Sequence, residues 1–575
     1  MTRFSIKIAG ASGGGLLSMG DIILKALKNM GFYLVAEREY PSVIKGGHAC
    51  FNVTASEEPI YALREEVDLM MAIDSFSLKI YIDSLKNGGI LVHGQERVIE
   101  GKEAIEKAKA KGVKEVHLPI RTVALESGGN VLMSNVVLLG MMWKALGLDY
   151  KYIEAEVTER FKNKPKLLEA DLKCLKAGYD RTEKIMDIKM PGKVPETILM
   201  EGNKAIALGA VHAGCRAYFA YPMSPASTIL THMANFAAKT GILVKQVEDE
   251  ISVASMTLGA MHMGTRAFCA TSGGGFDLMT ETVSLSGMIE CPLVIVVAQR
   301  PGPATGMPTW TCQADLDLAI YAAHGEFTRL VLAAGDPSDA FDLTQHAFNY
   351  AEKFQIPVVL LTEKGIAETH WTIPMFEQGK IPIERGLVEG EELKKLVNED
   401  RYRITGNGVS KRWVPGASDA YYFANSDEHL EDGSLTEDAE PSRKMIEKRM
   451  RKMQTLEEAL PEPEIYGDSG GAADISFVGW GSSKNVMRDI IEQYAEKNVK
   501  VNYLHFSFLF PLKTEVLKKF FKENNNVNLI EGNYQGQLGN LIEAKTGLKF
   551  KGRLLKYNGR PFYLNDLEKF IDANL

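Results

Sequence analysis

The chain has 575 residues, 45% of them hydrophobic and 24% charged, which at roughly 100–200 residues per domain describes a multidomain globular protein and excludes disorder as its main state. Its 66 Lys and Arg against 74 Asp and Glu give a net charge of −8, and the dense basic run Lys448–Lys452 lies inside a segment of mixed charge, so no nucleic-acid partner is expected. The longest apolar runs, such as Cys291–Ala298, have about eight residues against the roughly 18–20 of a membrane span. With no apolar signal-peptide core in the first residues, a cytoplasmic location and no membrane partner are expected.

From residue 1 to about 190, β-rich runs alternate with helical ones. Phe4–Ala9 reads as a strand, followed by the glycine turn Gly10–Gly15 and by helical spacing over Leu16–Met30. Val67–Ile73 and Gly89–His93 read as strands around a helical Phe76–Leu85, and a long helical stretch, Glu156–Lys184, ends at a Pro/Gly-rich linker. Strand–helix alternation implies a parallel α/β sheet.

Residues 196–385 repeat the alternation more strongly. Ala217–Tyr221, Leu243–Val247, Arg266–Thr271, Pro292–Ala298, Thr328–Leu332 and Pro357–Leu361 are apolar strands. Helical segments at Ser227–Ala238, Ile251–Met263, Phe276–Gly287 and Ala340–Phe354 lie between or after them. Near-continuous apolar strands imply a doubly wound sheet covered on both faces. Residues 386–470 are densely charged and read as an extended arm with one charged helix that wraps a partner. A further α/β unit occupies 471–575, with strands at Ile475–Val478, Val499–Leu504 and Asn528–Ile530 and helices at Ser483–Tyr494 and Thr514–Phe521.

In open α/β sheets ligands gather at the carboxyl ends of strands, where the 196–385 domain carries unusual residues. One strand runs into Pro222–Ser227, a rigid loop presenting Ser224. The next leads to Glu248-Asp-Glu250 at a helix start, where the helix dipole favours negative charge. Thr271–Phe276 is a glycine turn whose backbone can approach a ligand, and Arg300 opens a loop containing Thr305 and Thr309. The six cysteines include no C-x-x-C, so neither a disulfide framework nor an iron–sulfur site is expected in this chain. His48, His212, His232 and His262 share no ligand-type spacing, so no metal site is expected either.

Gly202–Ala210, Tyr221–Pro225, Glu248–Glu250, Thr271–Phe276 and Gly302–Thr309 together resemble the α subunit of 2-oxoacid:ferredoxin oxidoreductases. The resemblance is greatest to the 2-oxoglutarate type (2-oxoglutarate synthase), with its γ domain fused ahead of α. Tyr40–His48 resembles the γ domain, Gly406–Gly416 with Glu428-His429 the linker, and Gly479–Lys484 with Glu531–Leu538 the C-terminal domain. The implied fold is a set of doubly wound α/β domains: a γ-type domain (1–190), a transketolase-like domain binding the pyrimidine of thiamine diphosphate (196–385), the charged arm (386–470) and a transketolase C-terminal-like domain (471–575). The chain departs from the usual motifs in three places. Ser224 stands where threonine is usual, Arg300-Pro-Gly-Pro303 replaces Arg-Gly-Gly-Pro, and Ser12 and Gly14 replace a glycine and a glutamine of the N-terminal turn.

The resemblance implies roles for these residues. Glu250, with Glu248 as the alternative, is the carboxylate on the aminopyrimidine of thiamine diphosphate, and Ser272 and Gly273 lie against the cofactor. Arg300 holds the 2-oxoacid carboxylate through two parallel donors, with Ser224, Thr305 and Thr309 as hydrogen-bonding partners of the substrate. Lys45 and His48 are the candidates near coenzyme A. No Gly-Asp-Gly for the Mg²⁺-held diphosphate occurs, so a β subunit is expected to bring Mg²⁺ and a [4Fe–4S] cluster, ferredoxin to accept the electrons, and the assembly to be a dimer of αβ heterodimers. The readings carried forward are the α subunit of a 2-oxoglutarate enzyme, one acting on pyruvate or a branched-chain 2-oxoacid, a ferredoxin-independent thiamine enzyme, and a non-catalytic coenzyme A- or nucleotide-binding regulatory module. The physiological direction stays open.

Overall fold

The structure is a computed structural model that describes residues 2–42, 47–95, 101–468 and 472–575. It divides into two compact units: residues 1–200 with 369–375 and 563–567, and residues 201–368 and 376–562 with 568–575.

The first unit is built on eight strands: β1 (Arg3–Ala11), β2 (Tyr33–Glu39), β3 (His48–Ser56), β4 (Val67–Ala72), β5 (Leu85–His93), β6 (Lys114–His117), β7 (Thr197–Glu201) and β14 (His370–Pro374). Their order is β6-β5-β4-β1-β3-β2-β14-β7. β1, β4, β5 and β6 are mutually parallel, whereas β3 pairs antiparallel with both β1 and β2. All six residues of β4 are buried, as a strand covered on both faces requires. The helical stretch expected over Glu156–Lys184 is two helices, Tyr150–Phe161 and Pro165–Asp180. Pro165 lacks the N–H that would continue the first helix and fits the first turn of the second.

The second unit holds two sheets. The larger contains β8 (Ala217–Ala220), β9 (Leu243–Gln246), β10 (Ala267–Thr271), β11 (Leu293–Gln299), β12 (Leu330–Ala333), β13 (Pro357–Glu363) and β18 (Phe508–Phe510). Its order is β18-β12-β13-β11-β10-β8-β9. Every pair is parallel except the edge strand β18, which runs antiparallel to β12. The smaller comprises β15 (Glu464–Tyr466), β16 (Ile475–Trp480), β17 (Val501–Phe506), β19 (Val527–Glu531) and β20 (Gly552–Leu555), in the order β15-β17-β16-β19-β20. β10, β11 and β13 are buried along their whole length.

The charged arm does not present its basic run outward for a partner. Its helix, Ala439–Ala459, buries Met445, Lys448, Arg449, Lys452 and Leu456 along one stripe. Lys448 and Lys452 both pair with the buried Glu290, and Arg449 pairs with Glu428. Arg412 from the arm, with Arg385 just before it, joins Arg266 around Glu352, with N···O distances of 3.0, 2.9 and 2.6 Å. Removing a charge from water is unfavourable unless it is paired, so these contacts make the arm an integral layer of its own unit. Among the described residues no single helix is long and apolar enough to cross a membrane, and all six cysteines are buried free thiols.

Candidate active site at the ends of β8, β10 and β11

Ser224 and Arg300 meet across adjacent loops. Asn203, buried at the start of the helix Gly202–His212, donates to the Pro225 carbonyl at 2.8 Å and to the Thr228 hydroxyl at 2.6 Å. That fixes the loop after β8 from one side. From the other, Arg300 Nη1 donates to the Ser224 carbonyl at 2.8 Å. Burial pulls the Arg300 guanidinium below its ordinary range, opposed by the field of Asp315.

The acid cluster separates into three roles. Asp249 is the helix N-cap and accepts from the Ser252 N–H at 2.8 Å. Glu248 is exposed and accepts from the Ser252 hydroxyl at 2.7 Å, which lowers its carboxyl below the usual range. Glu250 is 4% exposed, and its Oε1 has no hydrogen-bond partner among the described residues. Burial, reinforced by the Asp249 charge, raises its carboxyl above the usual range. A buried carboxyl atom without a donor is costly in a folded protein.

The turn after β10 is helical from Gly273 onward, and its glycines make room for side chains. A Cβ on Gly275 would lie 2.0 Å from Thr271 Oγ1 and 2.6 Å from Glu250 Oε1, and one on Gly273 would lie 2.7 Å from Asp315 Oδ2. Ser272, which precedes them, is fully buried and its Oγ is unpartnered among the described residues. Gly275→Ala is therefore expected to displace the Glu250 carboxyl and lower kcat by about 100-fold, the usual effect of misplacing a reacting group by an ångström. Steady-state assays beside a circular-dichroism check that the fold persists would measure it.

The loop after β11 places its two threonines differently. Thr305 is exposed, whereas Thr309 is 4% exposed with Oγ1 unpartnered among the described residues. Beyond Thr309 the chain is clamped to the smaller sheet. Gln313 Nε2 donates to Glu363 Oε1 and to the Trp480 carbonyl, both at 2.9 Å, and its Oε1 accepts from the Gly532 N–H at 2.7 Å. Asn533 Nδ2 donates to the Gln313 carbonyl at 2.9 Å. Gln537 Oε1 accepts from the N–H groups of Leu316 and Asp317, at 3.0 and 3.2 Å. The two C-terminal motifs, Gly479–Lys484 and Glu531–Leu538, thus act on the loop that carries Arg300 and Thr309. The clamp presents Asp315, which no sequence signal marked, as neither its type nor its spacing stands out.

Of the residues expected near coenzyme A, Lys45 lies outside the described residues. His48 begins β3 in the first unit, with Nδ1 3.8 Å from Asp74 Oδ1 and its ring stacked 4.3 Å from that of Phe76. Asp74 also accepts from the Ala11 N–H at 2.7 Å and caps the helix Ser75–Tyr81. The N-terminal glycine turn and His48 are therefore neighbours.

Comparison with known proteins gives the family. The family model "Pyruvate flavodoxin/ferredoxin oxidoreductase, thiamine diP-bdg" matches residues 208–448, and "Pyruvate ferredoxin/flavodoxin oxidoreductase" matches residues 5–181. A Sulfolobus protein named 2-oxoacid:ferredoxin oxidoreductase subunit alpha is 32% identical over 99% of this chain and 96% of its own length. The 2-oxoglutarate oxidoreductase subunit KorA of Mycobacterium tuberculosis is 27% identical over 99% of this chain and 91% of its own. A solved structure of 2-oxoglutarate:ferredoxin oxidoreductase from Magnetococcus marinus, with 2-oxoglutarate, coenzyme A and succinyl-CoA bound, superposes with a TM-score of 0.92 at 28% identity and covers 100% of both chains. The chain belongs to the 2-oxoacid:ferredoxin oxidoreductase alpha subunits.

Proposed function

We propose that this chain is the α subunit of a thiamine diphosphate-dependent 2-oxoglutarate:ferredoxin oxidoreductase. The reaction interconverts 2-oxoglutarate, coenzyme A and oxidised ferredoxin with succinyl-CoA, CO₂ and reduced ferredoxin. The single observation that carries the enzymatic reading is the buried Glu250 Oε1, unpartnered among the described residues, against the glycine turn. The 2-oxoglutarate assignment rests on the names of the Mycobacterium tuberculosis and Magnetococcus marinus relatives.

The donor set suits the pyrimidine half of thiamine diphosphate. Glu250 would hold a ring nitrogen, and the Ser272 hydroxyl and Gly273–Gly275 backbone would border the ring. When bound, the cofactor supplies a nucleophilic carbon and an electron sink for decarboxylation. Glu250, with its raised proton affinity, would hold or release a proton at its carboxyl toward that nitrogen. Arg300 takes the substrate carboxylate, and Ser224 and Thr309 supply hydroxyls to the carboxylate or keto oxygen. Thr305, exposed on the same loop as Thr309, would add a further hydroxyl. Oxidation releases two electrons for two one-electron acceptors, and among the described residues no group of three or more His, Cys, Asp or Glu could hold a metal ion. A β subunit holding Mg²⁺, the cofactor diphosphate and a [4Fe–4S] cluster would complete the site in a dimer of αβ heterodimers, with His48, and Lys45 beside it in sequence, near coenzyme A.

The test is coenzyme A-dependent viologen reduction by the co-purified αβ pair, with 2-oxoglutarate, pyruvate and branched-chain 2-oxoacids compared. Activity is expected only in the pair and highest with 2-oxoglutarate. Preference for another acid would overturn the substrate assignment. A pair that binds no thiamine diphosphate and reduces nothing would leave the regulatory-module reading standing.

A further inference from the structure

Asp315 stands at the meeting point of the site's elements without a role in the scheme above. Its N–H donates to Gln299 Oε1 at 3.0 Å, and Gln313 and Gln537 clamp the chain on either side of it. Its carboxylate lies where a Cβ on Gly273 would be, with both oxygens within 2.8 Å of that point. This places it across the glycine turn from Glu250, which occupies the equivalent position at Gly275. Arg300 lies within its electrostatic reach but makes no ion pair with it, because the guanidinium is turned to the Ser224 carbonyl.

This arrangement bears on an imbalance in the chemistry. A guanidinium that grips the substrate carboxylate stabilises the ground state, yet that carboxylate leaves as neutral CO₂. Binding that is stronger before the transition state than in it retards the step, and it would leave a half-buried cation without a counter-charge as CO₂ departs. We propose that Asp315 is a positioning residue that acts through Arg300: its carboxylate weakens the hold on the substrate carboxylate and replaces it as the counter-charge when CO₂ leaves. The proposal rests on the reading of Arg300 as the carboxylate-binding residue.

The groups facing Asp315 are few. Arg300 comes from the loop after β11, Asp277 from the helix Gly273–Met288 and Cys312 from its own segment, with Glu250 across the glycine turn. The helix Gln537–Thr546 offers only the neutral Gln537. Burial first, then Asp277, push the Asp315 carboxyl up to about 6, with Arg300 opposing.

The experiment uses the intact αβ complex and 2-oxoglutarate. Asp315→Asn is expected to lower KM and kcat together, each by about three- to tenfold, the scale of one unit charge acting through a water-like dielectric, leaving kcat/KM nearly unchanged. A general structural defect would instead lower kcat/KM. In the native complex the KM should fall as pH drops through about 6, because protonation removes the opposing charge. In Asp315→Asn the KM should be flat through that range. This wild-type profile stands even if the variant fails to assemble, and Asp315→Ser serves as a second variant. In an Arg300→Gln background, Asp315→Asn should change KM no further. Unchanged or raised KM in Asp315→Asn, or a wild-type KM flat across pH 6, would overturn the proposal. Arg300→Gln with an unchanged KM would instead defeat the reading of Arg300 on which it rests.

Discussion

Glu250→Gln is expected to lower kcat of the assembled complex by about 10²–10⁴-fold, the contribution of a positioned acid–base group, and to leave KM for the 2-oxoacid nearly unchanged. Glutamine keeps the size and the oxygen acceptor but cannot exchange a proton with the cofactor ring. Glu248→Gln is the control: that side chain is exposed and bonded to Ser252, so it should retain activity. The stability effect has the opposite sign. Burial raises the Glu250 carboxyl above 4.5, so its protonated form favours folding, and this contribution fades as pH rises through the raised value. Above the ordinary carboxylate range the folded state bears the cost of burying this carboxyl, whose Oε1 has no hydrogen-bond donor among the described residues. The glutamine variant lacks that charge and should melt at a higher temperature, with the difference closing under acid conditions. A variant that turned over at the wild-type rate would remove Glu250 from the chemistry. One that lost activity and also melted lower would point to a structural role.

The architecture was legible where burial dictates composition. β11, buried on both faces, reads as an unbroken apolar run and cannot be mistaken for a half-exposed strand. The helix Glu250–His262 was legible from its apolar spacing and from acids at its start. Ser224, Glu250 and Arg300 could be singled out because polar residues at successive strand ends are uncommon. The glycine turn was legible as backbone open to close approach, but not as the space its small residues leave for Glu250, Thr271 and Asp315, because such proximity has no sequence signature. The same holds for Gln313 and Gln537, whose partners lie more than two hundred residues away in several cases. The run Lys448–Lys452 read as part of an arm wrapping a partner because Glu290, the charge that neutralises it, is 158 residues distant from Lys448. Local pattern records which face of an element is buried, not what meets it there.

Arg300→Gln should raise KM for the 2-oxoacid by about 10²–10³-fold, the consequence of removing one partner of a desolvated, hydrogen-bonded charge pair, and should lower kcat less. Two explanations of such a result must be separated, because Arg300 also holds the Ser224 carbonyl at 2.8 Å. If its function were only to fix that loop, a lysine would keep a donor and a charge, and Arg300→Lys would retain most activity. A planar carboxylate asks for more, since the guanidinium presents two parallel N–H groups while an ammonium acts as a point charge. With Nη1 committed to Ser224, the guanidinium still has Nη2 and Nε to offer the substrate. Arg300→Lys is therefore expected to raise KM by at least about tenfold, the loss of one charge-assisted hydrogen bond. Activity with 2-oxoacids should suffer in both variants, while thiamine diphosphate affinity, assigned in the proposed function to the Glu250 side of the pocket, should stay near the native value. A lysine variant with a native KM would reduce Arg300 to a loop anchor. A loss of cofactor affinity in both would show that the two sides of the pocket do not act separately.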